Sequence, residues 1–143
     1  MIVGVLKEIK AEENRVCMTP AGVEIMGQNG HTVLVEKNAG IGSGFNNKAY
    51  ETAGAEIVAT PQEIFKRAKM VMHVKEPLPA EYDLIRKDQI VFTYLHLAAA
   101  EDLPTVLIKS GSISIAYETI QKEDRSLPLL TPMSEVAGRM AIQ

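Results

Sequence analysis

Short apolar runs rich in β-branched residues recur along this chain, and most are separated by segments that open with helix-start chemistry. IVGVL at residues 2–6 reads as a first strand. TPAGVEIMGQNG then reads as a helix, with Thr19 as N-cap, Pro20 at the first helical position and Gly30 just past the end. TVLVE at 32–36 is a second strand, a short helix near NNKAYETAG closes at Gly54, and EIV at 56–58 is a third strand. In TPQEIFKRA, Thr60 and Glu63 stand at capping-box spacing, with Pro61 in the first turn. MVMHVK at 70–75, stopped by Pro77, and QIVFTYL at 89–95 are strands four and five. A helix around EDLPTVLIKSG leads to SISIAY at 112–117, strand six. Crossovers between parallel strands are right-handed and lay helices on both faces of the sheet. The order therefore predicts an α/β fold, a doubly wound parallel sheet that is Rossmann-like or flavodoxin-like.

At 143 residues the chain has room for one domain with its own core. From Ser134, SEVAGRMAIQ reads as a helix in which Ala137 and Gly138 permit close packing, and it reaches Gln143 without a stop signal. A helix cut in mid-run suggests a longer parent protein; a frayed terminal helix is the alternative. The formal charge is -3 and the Lys and Arg residues are scattered singly, which argues against a nucleic-acid partner. A lone cysteine, Cys17, makes no internal disulfide, no His or Cys spacing resembles a metal site, and MIVGVL is too short for a signal core or a membrane span. These features predict a soluble cytoplasmic protein acting on a small molecule, with no metal and no membrane partner.

Ligands of open parallel sheets bind beyond the carboxyl ends of the strands. Arg15 lies in the loop after strand one, Lys75 is the last residue expected in strand four, and His96 the last in strand five; Glu118 follows strand six. All fall at one edge. Two cations suit a small carboxylate, Arg with paired hydrogen bonds and Lys as a point charge. A histidine beside them could pass a proton to or from a substrate hydroxyl, carbonyl or amine. Each also has a plainer reading. Arg15 among Glu8, Glu12 and Glu13 could be a solvated loop charge, Lys75 could end a strand in water, and His96 could be a core histidine. In NAGIGSGF, Gly40, Gly42 and Gly44 miss the dinucleotide fingerprint because Phe45 takes the third glycine position, so a flexible loop is expected. His31 and His73 read as structural or surface residues, Met70, Met72, Met133 and Met140 as packing, and Cys17 as non-catalytic.

The segments VGVLKEIKAEENRVCMTPAGV, HTVLVEKNAGIGSGF, AGAEIV, HVKEP, FTYLHLAAA and LLTPMSEVAGRMA together resemble the N-terminal part of the alanine dehydrogenase and transhydrogenase alpha-subunit family. The resemblance runs over essentially the whole chain. His96 favours the alanine dehydrogenase branch, since transhydrogenase relatives typically lack it. The resemblance implies that Arg15 and Lys75 hold the substrate carboxylate, that His96 is the proton donor and acceptor, that Met133 lines the site, and that Ser134 meets the NAD cofactor. It further implies L-alanine and pyruvate as substrates and a homohexamer. Residues 1–130 would be the substrate-binding domain, and residues 131–143 the start of a linker helix toward an NAD-binding domain beyond Gln143. The 143-residue chain alone is expected to be inactive. The alternatives are the N-terminal domain of a transhydrogenase alpha subunit and a non-catalytic carboxylate-binding module.

Overall fold

A computed structural model describes residues 1–142. Its core is one parallel sheet of six strands: β1 (Ile2–Val5), β2 (Thr32–Glu36), β3 (Glu56–Val58), β4 (Met70–Met72), β5 (Ile90–Thr93) and β6 (Ile113–Ala116). The spatial order is β3-β2-β1-β4-β5-β6, and each neighbouring pair is parallel. Of the two doubly wound orders, this is the Rossmann one. The winding reverses between β1 and β4, which opens a crevice beyond their carboxyl ends.

Alternation along the strands feeds two cores. Val3, Val5, Val33 and Val35 pack with Val23 of α1 (Pro20–Gln28) and Tyr50 of α2 (Asn47–Thr52). Leu34, Val71 and Val91 pack on the other face with Ile64 and Phe65 of α3 (Pro61–Arg67) and with Leu103 and Leu107 of α4 (Leu103–Ser110). Local chemistry starts these helices. Thr19 accepts from the Gly22 amide at 3.3 Å, Asn46 from Ala49 at 2.9 Å and Thr60 from Glu63 at 3.4 Å. The capping box expected at Thr60 is only half made: the Glu63 carboxylate pairs with Arg67 at 2.9 Å, one turn ahead. A fifth helix, α5 (Thr131–Met140), starts three residues before Ser134 and buries none of its residues. Met140 is 67% exposed on it and fills no gap in packing. The expected linker ended at Gln143, which lies outside the described residues.

The strand ends differ from expectation in a way that matters for the site. β4 stops at Met72, so Lys75 lies in the following loop. The reason is chemical: the Val74 and Lys75 amides donate to the Glu8 carboxylate, at 2.6 and 3.3 Å, and are withdrawn from the ladder. β5 stops at Thr93 and His96 lies three positions beyond it. The Leu95 and His96 amides are taken by Glu118 at 3.1 and 2.9 Å, and His96 adopts φ +46°, a left-handed turn that no strand accommodates. Nor is the glycine segment a loose loop. Its turn Ile41–Ser43 sits against the loop carrying Arg15, where a Cβ on Gly42 would lie 2.7 Å from the Asn14 carbonyl oxygen.

Candidate functional site

A cavity of about 270 Å³ opens at the carboxyl edge of the sheet, and Arg15, Lys75, His96, Met133 and Ser134 all line it. Tyr94 completes the wall beside His96. Arg15 is fixed before any ligand arrives. Its Nε and Nη2 donate to the two Glu13 oxygens at 2.8 and 2.5 Å, and its backbone amide donates to the same carboxylate at 3.0 Å. The pair has an acid-stable charge: the Arg15 hydrogen bonds pull the Glu13 carboxyl down to about 2, against burial, which opposes the shift. One edge of the guanidinium is thus spent, while Nη1 reaches toward the cavity wall, 3.6 Å from the Met133 sulfur.

Lys75 is held through its backbone, which leaves the side chain for the cavity. Its carbonyl accepts from the Thr93 hydroxyl at 2.7 Å and its amide donates to Glu8. Among the described residues its ammonium has no ion-pair partner. His96 is exposed, and its ring stacks on Tyr94 with centroids 6.1 Å apart and planes at 26°. The Tyr94 hydroxyl in turn donates to the Leu129 carbonyl, tying the chain just before α5 to the sheet edge. That tie brings Met133 and Ser134 to the cavity. Two cations at one wall and an accessible imidazole at the rim can bind a small anion and exchange a proton with the atoms beside it.

The chain matches the family model described as "Alanine dehydrogenase/PNT, N-terminal domain" over residues 4–137. It belongs to this family. Within it, the alanine dehydrogenase of Bacillus subtilis (strain 168) is 62% identical over the whole of this chain, which spans 37% of that protein. A solved L-alanine dehydrogenase superposes with a TM-score of 0.95 at 53% identity, covering 100% of this chain and 39% of that one. A solved transhydrogenase from Sinorhizobium meliloti is more distant, with a TM-score of 0.77 at 27% identity over 82% of this chain and 35% of that one. The chain therefore spans well under half the length of these alanine dehydrogenase/PNT relatives.

Sequence reasoning placed Glu118 at the sheet edge but missed that three glutamates hold the site residues. Glu13 grips the Arg15 side chain, Glu8 the Lys75 amide and Glu118 the His96 amide. In sequence, Glu8, Glu12 and Glu13 looked like one acidic run around Arg15. The usable signal was the two-residue spacing from Glu13 to Arg15, close enough for one side chain to meet the other. His73 is structural as expected, 2% exposed in the interior. Cys17 is kept protonated by desolvation, which pushes its thiol far up and leaves it a poor nucleophile.

Proposed function

We propose that residues 1–130 form the substrate-binding domain of an NAD-dependent L-alanine dehydrogenase, which interconverts L-alanine with pyruvate and ammonia. Residues 131–143 begin the linker toward its NAD-binding domain. The observation that carries this reading is the meeting of Arg15, Lys75 and His96 on one cavity at the winding switch of a chain in this family. The Nη1 side of Arg15, left over by Glu13, hydrogen-bonds one substrate carboxylate oxygen, and the Lys75 ammonium neutralises the other. A carboxylate anchored at one end presents its second carbon to His96, at the rim. A ring nitrogen of His96 takes and returns the proton exchanged as that carbon changes between amine and carbonyl.

Ser134 lies on α5 at the same cavity and is exposed, with a hydroxyl that both donates and accepts, which fits the amide of a nicotinamide ring. NAD, when bound, supplies the hydride acceptor. The turn at Gly40, Gly42 and Gly44 does not fit a pyrophosphate, because Gly42 is already packed on the Asn14 backbone. This chain then contributes to the nicotinamide end of the cofactor. The resemblance that names the activity also implies a homohexamer for the complete protein, and the composition fits a cytoplasmic one.

The test uses the full-length protein. It should reduce NAD in the presence of L-alanine. Arg15→Ala should raise KM for pyruvate by roughly tenfold or more, whereas His96→Ala should lower kcat by about a hundredfold or more. Near-normal turnover in His96→Ala would remove its role. Hydride exchange between two nicotinamide nucleotides without pyruvate would move the protein to the transhydrogenase branch.

A further inference from the structure

Three ionisable side chains that do not line the cavity are buried together next to Lys75. The side chains of His73, Glu8 and Glu81 are 2%, 4% and 5% exposed. They come from three places: Glu8 from the loop after β1 that also carries Arg15, His73 from the start of the loop after β4, and Glu81 from the turn Pro79–Leu84. Glu8 Oε1 accepts from the Val74 amide at 2.6 Å and stands 3.3 Å from His73 Nδ1, while Oε2 accepts from the Lys75 amide at 3.3 Å. His73 Nε2 lies 3.0 Å from Glu81 Oε1, close as an ion pair though off-line for a hydrogen bond. The other Glu81 oxygen accepts from the Leu78 amide at 3.0 Å. The loop from 73 to 78 is therefore gripped near both ends by carboxylates that face each other across one imidazole.

Burying two carboxylates is costly, and apolar residues of similar volume would stabilise such a position as well or better. What apolar residues cannot do is accept amide hydrogens and so end the β4 ladder at a chosen residue. The site residue carried by this loop is Lys75, and the residue that ends the ladder comes from the loop that carries Arg15. Glu8 thus ties together the backbones beneath the two cations, across the winding switch.

We infer that Glu8 is a positioning residue: its carboxylate, braced by His73 and Glu81, sets the Lys75 backbone so that the ammonium meets the same substrate carboxylate as Arg15. The inference rests on the reading above that Lys75 binds that carboxylate. Glu8 touches no substrate and acts through the Lys75 backbone.

The experiment is a kinetic cycle in the full-length enzyme. Glu8→Asp keeps the charge beside His73 but draws the oxygens back from the 74 and 75 amides. The expected result is a rise in KM for pyruvate of about fivefold to tenfold with kcat changed by less than about twofold, since the lost interaction serves ground and transition state alike. In a Lys75→Ala background the same substitution should add no further rise, because coupled residues are non-additive. Glu8→Gln keeps the shape and should show a smaller rise than Glu8→Asp. An unchanged KM in folded Glu8→Asp overturns the inference, and so does an equal rise in the Lys75→Ala background. Failure of both variants to fold would reduce Glu8 to a structural brace and overturn it too. If the unsubstituted enzyme forms no NADH from alanine, the failure belongs to the proposed activity. If it does and the Glu8 variants match it, the failure is of the positioning role alone.

Discussion

His73 and Glu13 mark two ways in which a charge is kept at this site. Burial by itself would push the His73 imidazolium down, yet Glu8 and Glu81 more than reverse this and hold its pKa up, from 6.5 to about 9. Glu36, at the end of β2, adds a further carboxylate on that side, its own pKa raised by burial and by Glu81. A pKa raised on folding means that the proton is bound more tightly in the native state. The stabilisation is therefore complete below 6.5 and is lost as pH rises through about 9. Urea titrations between pH 6 and 10 should show stability falling across that window, and His73→Gln should be less stable at the acid end and show a shallower slope between about pH 6.5 and 9. Identical slopes in the two proteins would mean that His73 is neutral when folded. Glu13 has the opposite sign, since Arg15 lowers its pKa to about 2, so the Arg15 pair stays ionised throughout the alkaline window in which the His73 brace loosens.

Among the glycines, the closest approach to a neighbouring element joins β1 to α3. Gly4 faces α3, and a Cβ there would lie 2.3 Å from the Ile64 methyl and 3.1 Å from the Ala68 Cβ. Both neighbours are fully buried, at 0% exposure, and have no room to retreat. Gly4→Ala should therefore cost about 1–3 kcal/mol by overpacking, read as a lower denaturation midpoint with an unchanged m-value. The same contrast between local and distant causes explains what was legible in the sequence. Thr19, Asn46 and Thr60 cap their helices through amides three residues away, so the starts at Thr19 and Thr60 could be read directly, as could the β-branched runs and hence the fold class. The ends of β4 and β5 could not, because they are set by Glu8 and Glu118, more than twenty residues from the amides that donate to them. For the site, position at the sheet edge was readable for Arg15, Lys75 and His96. The roles of Glu8 and Glu118, which take the Lys75 and His96 amides, became visible only when strands distant in sequence stood side by side.

At the scale of the whole molecule, the candidate site spans a firm half and a loose half. β1 is flanked by β2 and β4, and its Val3 and Val5 are 0% exposed. At the far edge, β6 shows Ile113 at 49% and Ile115 at 36% exposure, and α5 has no buried residue. Local opening follows burial, so amides of β1, β2 and β4 in the 143-residue chain should exchange with deuterium only through global unfolding, and those of β6 and α5 much faster. Among the described residues, two side-chain hydrogen bonds tie α5 and the residues before it to the sheet edge, the Tyr94 hydroxyl on the Leu129 carbonyl and Arg15 Nη1 on the Met133 sulfur. Tyr94→Phe removes the first, and exchange in α5 should accelerate while β1 is unchanged. Protection of α5 equal to that of β1 would contradict this division. The cations Arg15 and Lys75 are braced by buried carboxylates, whereas Met133 and Ser134 ride on the weakly held helix. In the 143-residue chain the carboxylate-binding side is therefore in place, while the α5 wall opens more readily.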